Sequence, residues 1–293
     1  MGSVYINGYD HPEAIAGSGS IGVEILDQLP ETDVIMVPVG GGGLLSGITE
    51  YVKHVKPETL IYGVEPIKGC SFFKAMQNNK PYATVGTLPC IADKLLIPMI
   101  GVNAFYTAHS NISKMVLVDD DWINRAILEL GETENIVVEG AGATSLAALL
   151  AVPTVLPELQ GKTVVCVITS GNMDSITFPR CLQRGKAIEG RLIQFKVKLP
   201  SQSSREQSQI FTAIASTGCN LVECYYGPAW ITSNSINYIW LHLKVGAFDL
   251  EQSCNLKIVM TKLFPDMCEF MEEPFSPIPT CACFPRKRFQ NPN

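Results

Sequence analysis

The chain has 293 residues with a net charge of -6, and 46% of its residues are hydrophobic, which suffices for one large or two medium domains. The negative charge argues against a nucleic acid partner, because a basic surface is missing, and no apolar run reaches the ~20 residues of a membrane span. Ten cysteines occur, but most lie in apolar runs and no signal-peptide pattern is present, so we expect reduced thiols and a cytoplasmic location.

The first elements in chain order are predicted from apolar periodicity. Residues 4–6 predict a short strand, and the apolar residues between 14 and 29 predict a helix that begins at the Gly/Ser stretch 17–20. Residues 34–39 form an apolar, β-branched run that is typical of a buried strand.

A glycine-rich turn between this strand and the next helix is a candidate anion site. It consists of Gly40, Gly41, Gly42 and Gly43, and helical spacing begins at Leu44. Backbone without Cβ atoms can approach a ligand closely, and its N–H groups and the helix dipole favour a phosphate. We therefore expect a side chain at Gly41 or Gly42 to occupy the place of the ligand. The pattern matches neither a P-loop nor the common dinucleotide motif, and its plain alternative is a flexible turn.

The pattern continues with three more strands. They are predicted over residues 60–66, 113–118 and 163–169. Helices are predicted over residues 71–77, over a segment that starts at the acids 119–121 and ends at about 130, and over 145–150. Residues 78–98 are predicted to be rich in loops. Strands alternating with helices favour a parallel sheet covered on both faces, in which ligands bind at the carboxyl ends of the strands. The glycine turn, Glu65 and residues 169–172 all fall at that edge.

A second domain follows a predicted linker at residues 184–190. Strands over 192–199, 220–226, 238–245 and 267–271, with helices over 204–217 and 249–263, give the order βαββαβ, which is a ferredoxin-like plan. In the first of these helices we expect Ile210, Phe211, Ile214 and Ala215 to face inward. Residues 276–293 are Pro-rich and then basic, so we expect a disordered tail, and the Cys281-x-Cys283 pair within them is a weak metal signal.

Five segments carry a family signal by their order and spacing. They read DHPEAIAGSGSI at 10–21, VPVGGGGL at 37–44, GVEP at 63–66, IAD at 91–93 and TSGN at 169–172. They resemble the threonine dehydratase and serine racemase branch of the fold type II enzymes that use pyridoxal 5'-phosphate (PLP). The resemblance covers residues 1–185 and implies the C-terminal portion of a tryptophan synthase β-like α/β domain. Residues 190–272 resemble the α+β, ferredoxin-like ACT-type regulatory domain, which threonine dehydratases of this branch carry and serine racemases lack.

The resemblance implies an activity and a set of cofactor contacts. The activity is that of an L-threonine/L-serine ammonia-lyase, which gives 2-oxobutyrate or pyruvate plus ammonia. Glu139 would lie near the cofactor ring, Thr169 would meet the pyridine nitrogen, and Asn172 would close the same turn. The PLP phosphate would be bound by Gly40, Gly41, Gly42, Gly43 and Leu44.

The resemblance also indicates a divalent cation, although less strongly. Glu65 matches a metal-ligand position of the family, and the carbonyl of Gly69 lies beside it. Ser71 stands where the metal-binding members have an acid, and a two-point site is poor for a hard cation.

The lysine that holds PLP in this family belongs to a Ser-x-Lys motif far upstream of the glycine turn. This sequence begins after that motif, so we assign no catalytic residue and expect the chain by itself to be inactive. Lys74 follows Ser71 in a superficially similar segment, but it comes after the glycine turn and is not expected to be catalytic. Residues 201–205 replace the usual Asp-Arg-Pro-Gly turn of ACT domains, which argues against an amino-acid effector there.

Three interpretations stay open from the sequence. The chain is a fragment or incomplete gene model of a threonine/serine dehydratase, a non-catalytic regulatory subunit that pairs with a full-length enzyme, or another type II lyase or a serine racemase-like enzyme. The sequence does not decide between threonine and serine as the substrate. We expect a homo-oligomer, because ACT-type domains usually pair and the apolar strand at residues 237–245 would offer an edge.

Overall fold

A computed structural model of the chain describes residues 2–83, 88–150, 156–227 and 237–271. The described residues fall into two compact units, the first ending at Leu182 and the second beginning at Gln183. The predicted tail at 276–293 and its cysteine pair lie outside the described residues. None of the described helices is long and apolar enough to cross a membrane.

The first unit alternates helices and strands. Its strands are β1 (Val34–Pro38), β2 (Leu60–Pro66), β3 (Lys114–Val118) and β4 (Val164–Cys166). Its helices are α1 (Pro12–Gln28), α2 (Gly43–Val55), α3 (Ser71–Asn78), α4 (Val102–Ala108), α5 (Asp120–Thr133), α6 (Gly140–Leu150) and α7 (Thr177–Ile188), and the division between the units falls within α7.

The four strands form one parallel sheet in the order β3-β2-β1-β4. All five residues of β1 are buried, and the first four alternate between two apolar clusters. Val34 and Met36 belong to a cluster with α5 and α6, whereas Ile35 and Val37 belong to a cluster with α1, α2, α3 and α4. This arrangement confirms the predicted parallel sheet with helices on both faces.

Two predictions for the N-terminal region are wrong. Residues 4–6 form no strand and are exposed. Helix α1 begins at Pro12, before the Gly/Ser stretch, because the His11 side chain accepts the N–H of Glu13 and Pro12 fits the first helical position. The small residues instead let α1 approach α2, since a Cβ atom at Gly19 would lie 3.2 Å from the carbonyl oxygen of Gly47.

Two further differences concern helices. Helix α4 was not predicted, because residues 102–108 follow a loop-rich stretch and give only two turns of periodicity. Helix α7 continues to Ile188, so most of the predicted linker at 184–190 is helical.

The second unit has the predicted βαββαβ order. Its elements are β5 (Leu192–Pro200), α8 (Ser204–Ser216), β6 (Asn220–Tyr226), β7 (Tyr238–Gly246), α9 (Leu250–Leu263) and β8 (Cys268–Met271). The strands form an antiparallel sheet in the order β6-β7-β5-β8. Its identity as an ACT-type domain stays a prediction.

Two predictions for the second unit are corrected by this sheet. Strand β7 lies between β6 and β5, so it is not an edge, and the exposed edge with apolar side chains is β6. In α8, Ile210 and Ile214 are buried as predicted, but Phe211 is 40% exposed and Ala215 also faces outward. The buried face of α8 consists of Ile210, Ala213 and Ile214, so it is narrower than the face predicted from the apolar residues.

Candidate functional site

The carboxyl edge of the parallel sheet brings most of the predicted site residues together. The glycine turn follows β1, Glu65 lies at the end of β2, and residues 169–172 follow β4. Residues 91–97 contact both the glycine turn and Glu139. A Cβ atom at Gly40 would lie 3.4 Å from the Cα atom of Leu95 in this segment, and the neighbouring Lys94 pairs with Glu139.

The glycine turn leaves its N–H groups available. Gly42 has a φ of +95° and precedes the first residue of α2 without any side-chain cap. Its carbonyl oxygen accepts both the N–H of Ser46 (2.9 Å) and the Ser46 hydroxyl (2.7 Å). Within the described residues, the backbone N–H groups of the four glycines donate no hydrogen bond. Unpaired N–H groups at a helix N-terminus fit an anion such as a phosphate.

The glycines do not all face a ligand, which corrects part of the sequence prediction. A Cβ atom at Gly41 would overlap the ring of Tyr9, lying 2.7 Å from its Cδ1. A Cβ atom at Gly43 would lie 2.6 Å from the carbonyl oxygen of Tyr9. Only Gly42 has a positive φ among the four. A side chain at Gly41 would therefore displace Tyr9, and a Cβ atom at Gly42 would lie 3.1 Å from Phe72 Cε2 and 3.2 Å from Ala104 Cβ, so neither would occupy a ligand's place as predicted.

Glu139 is a buried carboxylate that contacts the segment 91–97 and the turn after β4. Its Oε2 atom accepts a hydrogen bond from Lys94 Nζ at 2.5 Å, and the Lys94 side chain is 50% exposed. Its Oε1 atom is buried and has no partner among the described residues. The backbone N–H of Glu139 donates to the carbonyl oxygen of Ser170 at 3.1 Å. Sequence reasoning missed Lys94, although Lys94 directly follows the IAD segment at 91–93.

The turn after β4 packs tightly on the start of α6. A Cβ atom at Gly142 would lie 2.6 Å from the carbonyl oxygen of Ser170, and one at Gly171 would lie 2.5 Å from that of Val137. These close approaches fix the turn, while Thr169 and Asn172 themselves remain exposed. Their side chains are therefore accessible at the same edge as Glu139.

Glu65 has a structural role in this geometry. It is fully buried, and its two carboxyl oxygens accept the N–H groups of Phe72 and Phe73, each at 2.8 Å, at the N-terminus of α3. Burial raises the pKa of Glu65 to about 8, and these two hydrogen bonds offset part of the effect. A carboxyl group engaged in this way caps the helix.

The donor set around Glu65 does not fit a divalent cation well. Gly69 is packed against Leu96, and the buried hydroxyl of Ser71 has no partner among the described residues. Nowhere in the described ranges do three His, Cys, Asp or Glu residues gather in a way that could hold a metal. Divalent cations of this type prefer several charged oxygen ligands. Lys74 lies on α3, and its positive charge lowers the pKa of Glu65, which offsets a further part of the effect of burial.

The chain is similar to known proteins over most of its length. A family model described as "Pyridoxal-phosphate dependent enzyme" matches residues 1–171. The L-threonine ammonia-lyase of Geobacter sulfurreducens is 36% identical over 218 residues, which cover 73% of this chain and 53% of that protein. The L-threonine ammonia-lyase of Thermotoga maritima is 31% identical over 225 residues, covering 77% and 55%.

Solved structures of a threonine deaminase and a serine racemase are also similar to this chain. The processed form of threonine deaminase isoform 2 from Solanum lycopersicum has a TM-score of 0.59 and 29% identity, covering 61% of this chain and 52% of that chain. Serine racemase from Dictyostelium discoideum has a TM-score of 0.53 and 29% identity, covering 58% and 53%. The chain spans about half the length of the curated relatives it matches.

Proposed function

Because the chain belongs to the pyridoxal-phosphate dependent enzyme family, we propose that its first unit forms the phosphate-binding side of an L-threonine/L-serine ammonia-lyase site. The observation that carries this proposal is the set of unpaired N–H groups in the glycine turn at the start of α2. The reaction would release ammonia and convert threonine to 2-oxobutyrate or serine to pyruvate.

Each predicted cofactor-binding residue has a role in this proposal. The N–H groups of the glycine turn and of Leu44 would hold the phosphate of pyridoxal phosphate, aided by the dipole of α2. The Thr169 hydroxyl would meet the pyridine nitrogen, and Asn172 would steady the turn around it. When bound, the cofactor supplies an electron sink for negative charge next to the substrate amine.

Glu139 would act beside the cofactor ring through its unpartnered oxygen. Lys94 balances the charge on Oε2, while Oε1 stays free to accept a hydrogen bond from a ligand. A buried acceptor without a partner is unfavourable in the protein alone. A donor group on a bound ligand would therefore be stabilised there.

The second unit favours an ammonia-lyase over the serine racemase alternative. The match to the Geobacter sulfurreducens ammonia-lyase covers 73% of this chain, which is more than the first unit alone provides. A serine racemase-like activity is the alternative, because the Dictyostelium discoideum serine racemase structure is also similar to this chain. We propose that the second unit is an ACT-like regulatory domain whose β6 edge pairs with another copy.

The phosphate site can be tested by thermal unfolding of the full chain. Pyridoxamine 5'-phosphate should raise the melting temperature, and pyridoxamine without the phosphate should not, because the N–H groups recognise the phosphate. Neither compound has an aldehyde that would react with lysines at random. Equal stabilisation by both compounds would contradict the proposal.

A pair of glycine variants gives a matched control. Gly42→Ala and Gly161→Ala both place a side chain at a positive φ, of +95° and +79° respectively, so both should lose stability. Gly161 is exposed, and nothing lies near the position of its Cβ atom. Only Gly42→Ala should remove the stabilisation by pyridoxamine 5'-phosphate, because its Cβ atom would meet Phe72 at 3.1 Å and Ala104 at 3.2 Å and would displace the turn that carries the N–H groups.

A further inference from the structure

The glycine turn is held by a short segment, residues 7–11, which we call the strap. The side-chain oxygen of Asn7 accepts the N–H groups of Tyr9 (3.0 Å) and Asp10 (3.1 Å). The N–H of His11 donates to the carbonyl oxygen of Asn7 at 3.1 Å. These bonds make the strap a closed turn with a defined shape.

Tyr9 lies directly on two of the four glycines. A Cβ atom at Gly41 would overlap the Tyr9 ring, and one at Gly43 would lie 2.6 Å from the carbonyl oxygen and 2.8 Å from the Cα atom of Tyr9. Any residue other than glycine at either position would push the strap away. The approach between the strap and the turn is therefore one that only glycine permits.

The strap is fixed at its other end to the start of α4. The Asp10 carboxylate accepts the N–H of Ala104 at 3.0 Å, and the side-chain amide of Asn103 donates to the carbonyl oxygen of Asp10 at 2.9 Å. Gly101, which precedes α4, packs against the Asp10 side chain, and its N–H donates to the carbonyl oxygen of Gly41 at 2.9 Å. The strap, α4 and the glycine turn thus form one connected set of contacts.

These contacts set the direction of the N–H groups in the turn. The carbonyl and N–H of a trans peptide point in opposite directions. Because Gly101 holds the carbonyl of Gly41, the N–H of Gly42 points to the opposite side. In the same way, Ser46 holds the carbonyl of Gly42 and thereby directs the N–H of Gly43.

We propose that Tyr9 is the positioning residue of the phosphate-binding turn. Its ring and backbone fix Gly41 and Gly43, so that the N–H groups are aligned before any ligand arrives. Such preorganisation raises affinity because less freedom is lost on binding. This inference rests on the proposed function, in which the turn binds the cofactor phosphate.

Replacement of Tyr9 tests the inference in the full chain. Tyr9→Ala should weaken the binding of pyridoxamine 5'-phosphate by about tenfold or more, because the N–H groups of the turn would no longer be aligned before the ligand binds. Tyr9→Phe should bind like the parent chain, because the Tyr9 hydroxyl makes no hydrogen bond among the described residues. Tyr5→Ala is the control for the region, since Tyr5 is 85% exposed.

A double-mutant cycle with Gly41 separates positioning from general stability. Gly41→Ala should lower the melting temperature, because its methyl group collides with the ring of Tyr9. Adding Tyr9→Ala to this variant should recover stability, since the ring is gone, but should not recover phosphate binding. If Tyr9→Ala does not fold, Tyr9→Leu replaces it, because leucine keeps the apolar mass without the flat ring.

The outcomes distinguish this inference from the proposed function. A parent chain that prefers the phosphorylated compound, with the Tyr9→Ala or Tyr9→Leu variant binding it equally tightly, would overturn the role of Tyr9 and leave the phosphate site in place. A parent chain without any preference for the phosphorylated compound would overturn both. Independent effects of Tyr9→Ala and Gly41→Ala on stability would also count against the contact.

Discussion

Replacing Lys94 by methionine should destabilise the first unit, because it leaves a buried carboxylate without its ion partner. Glu139 has a side chain only 7% exposed, whereas the Lys94 side chain is 50% exposed. Breaking a fully buried pair destabilises by ~3–5 kcal/mol, and an exposed pair contributes at most ~1 kcal/mol. With one partner buried and one half-exposed, we expect a loss between these two values, of about 2 kcal/mol, for Lys94→Met.

The partner variant should have a smaller effect. Glu139→Gln keeps the shape of the side chain and leaves the Lys94 ammonium in contact with water, so we expect a loss of about 1 kcal/mol or less. The double variant Lys94→Met with Glu139→Gln should be more stable than Lys94→Met alone, because no unpaired charge remains buried. The cycle thus measures the cost of the isolated carboxylate.

Urea denaturation of the four chains at neutral pH is the appropriate assay. Lys162→Met is the matched control, since Lys162 is an exposed lysine of the same unit with no ion pair among the described residues. Equal stability of Lys94→Met and Lys162→Met would refute the reasoning. It would mean that the Glu139 carboxylate finds water or another donor when Lys94 is absent.

The pH dependence of Glu65, the helix cap at Asp119 and the β6 edge can each be tested. The pKa of Glu65 is about 8 in the folded chain, against an ordinary value of 4.5. Its contribution to the unfolding free energy should therefore fall as pH rises from about 4.5 to about 8, by at most about 5 kcal/mol. Urea titrations that show the same dependence of stability on pH in Glu65→Gln would contradict this. Asp119→Ala should destabilise by about 1–2 kcal/mol, because the Asp119 carboxylate accepts the first N–H groups of α5, and an unchanged melting temperature would count against this cap. Val222→Lys on the β6 edge should weaken self-association in sedimentation experiments on the full chain. Ile258→Lys on α9, where the side chain is similarly exposed, should not weaken it. Equal effects of the two variants would exclude β6 as the contact.

The sequence predicted the parts of the fold that depend on local pattern. Buried strands such as β1 have continuous apolar runs, and the cap of α5 has its acids at the expected positions. The start of α1 was missed because glycine and serine have low helix propensity on their own. Their close packing on α2 outweighs that propensity, and sequence periodicity does not report such packing.

The misplaced edge strand has a different cause. Strand β7 is one of two central strands, and its Leu241, Leu243 and Val245 are apolar because this face of the sheet packs against α8 and α9. Composition alone does not tell whether an apolar strand is central in its sheet or lies at an edge that can pair with another chain. The spatial order of the strands, which the sequence does not state, assigns the edge to β6.

The glycine turn shows the same limit at the scale of single residues. Its four glycines are uniform in sequence, yet each meets a different demand in the structure. Gly42 needs a positive φ, Gly41 and Gly43 need room for Tyr9, and Gly40 approaches the segment that carries Lys94. The run was predicted as an anion site because the N–H groups of consecutive glycines before a helix can point at one anion. The contacts behind each glycine come from residues distant in sequence, so only the folded structure reveals why four glycines are required where a single turn would need fewer.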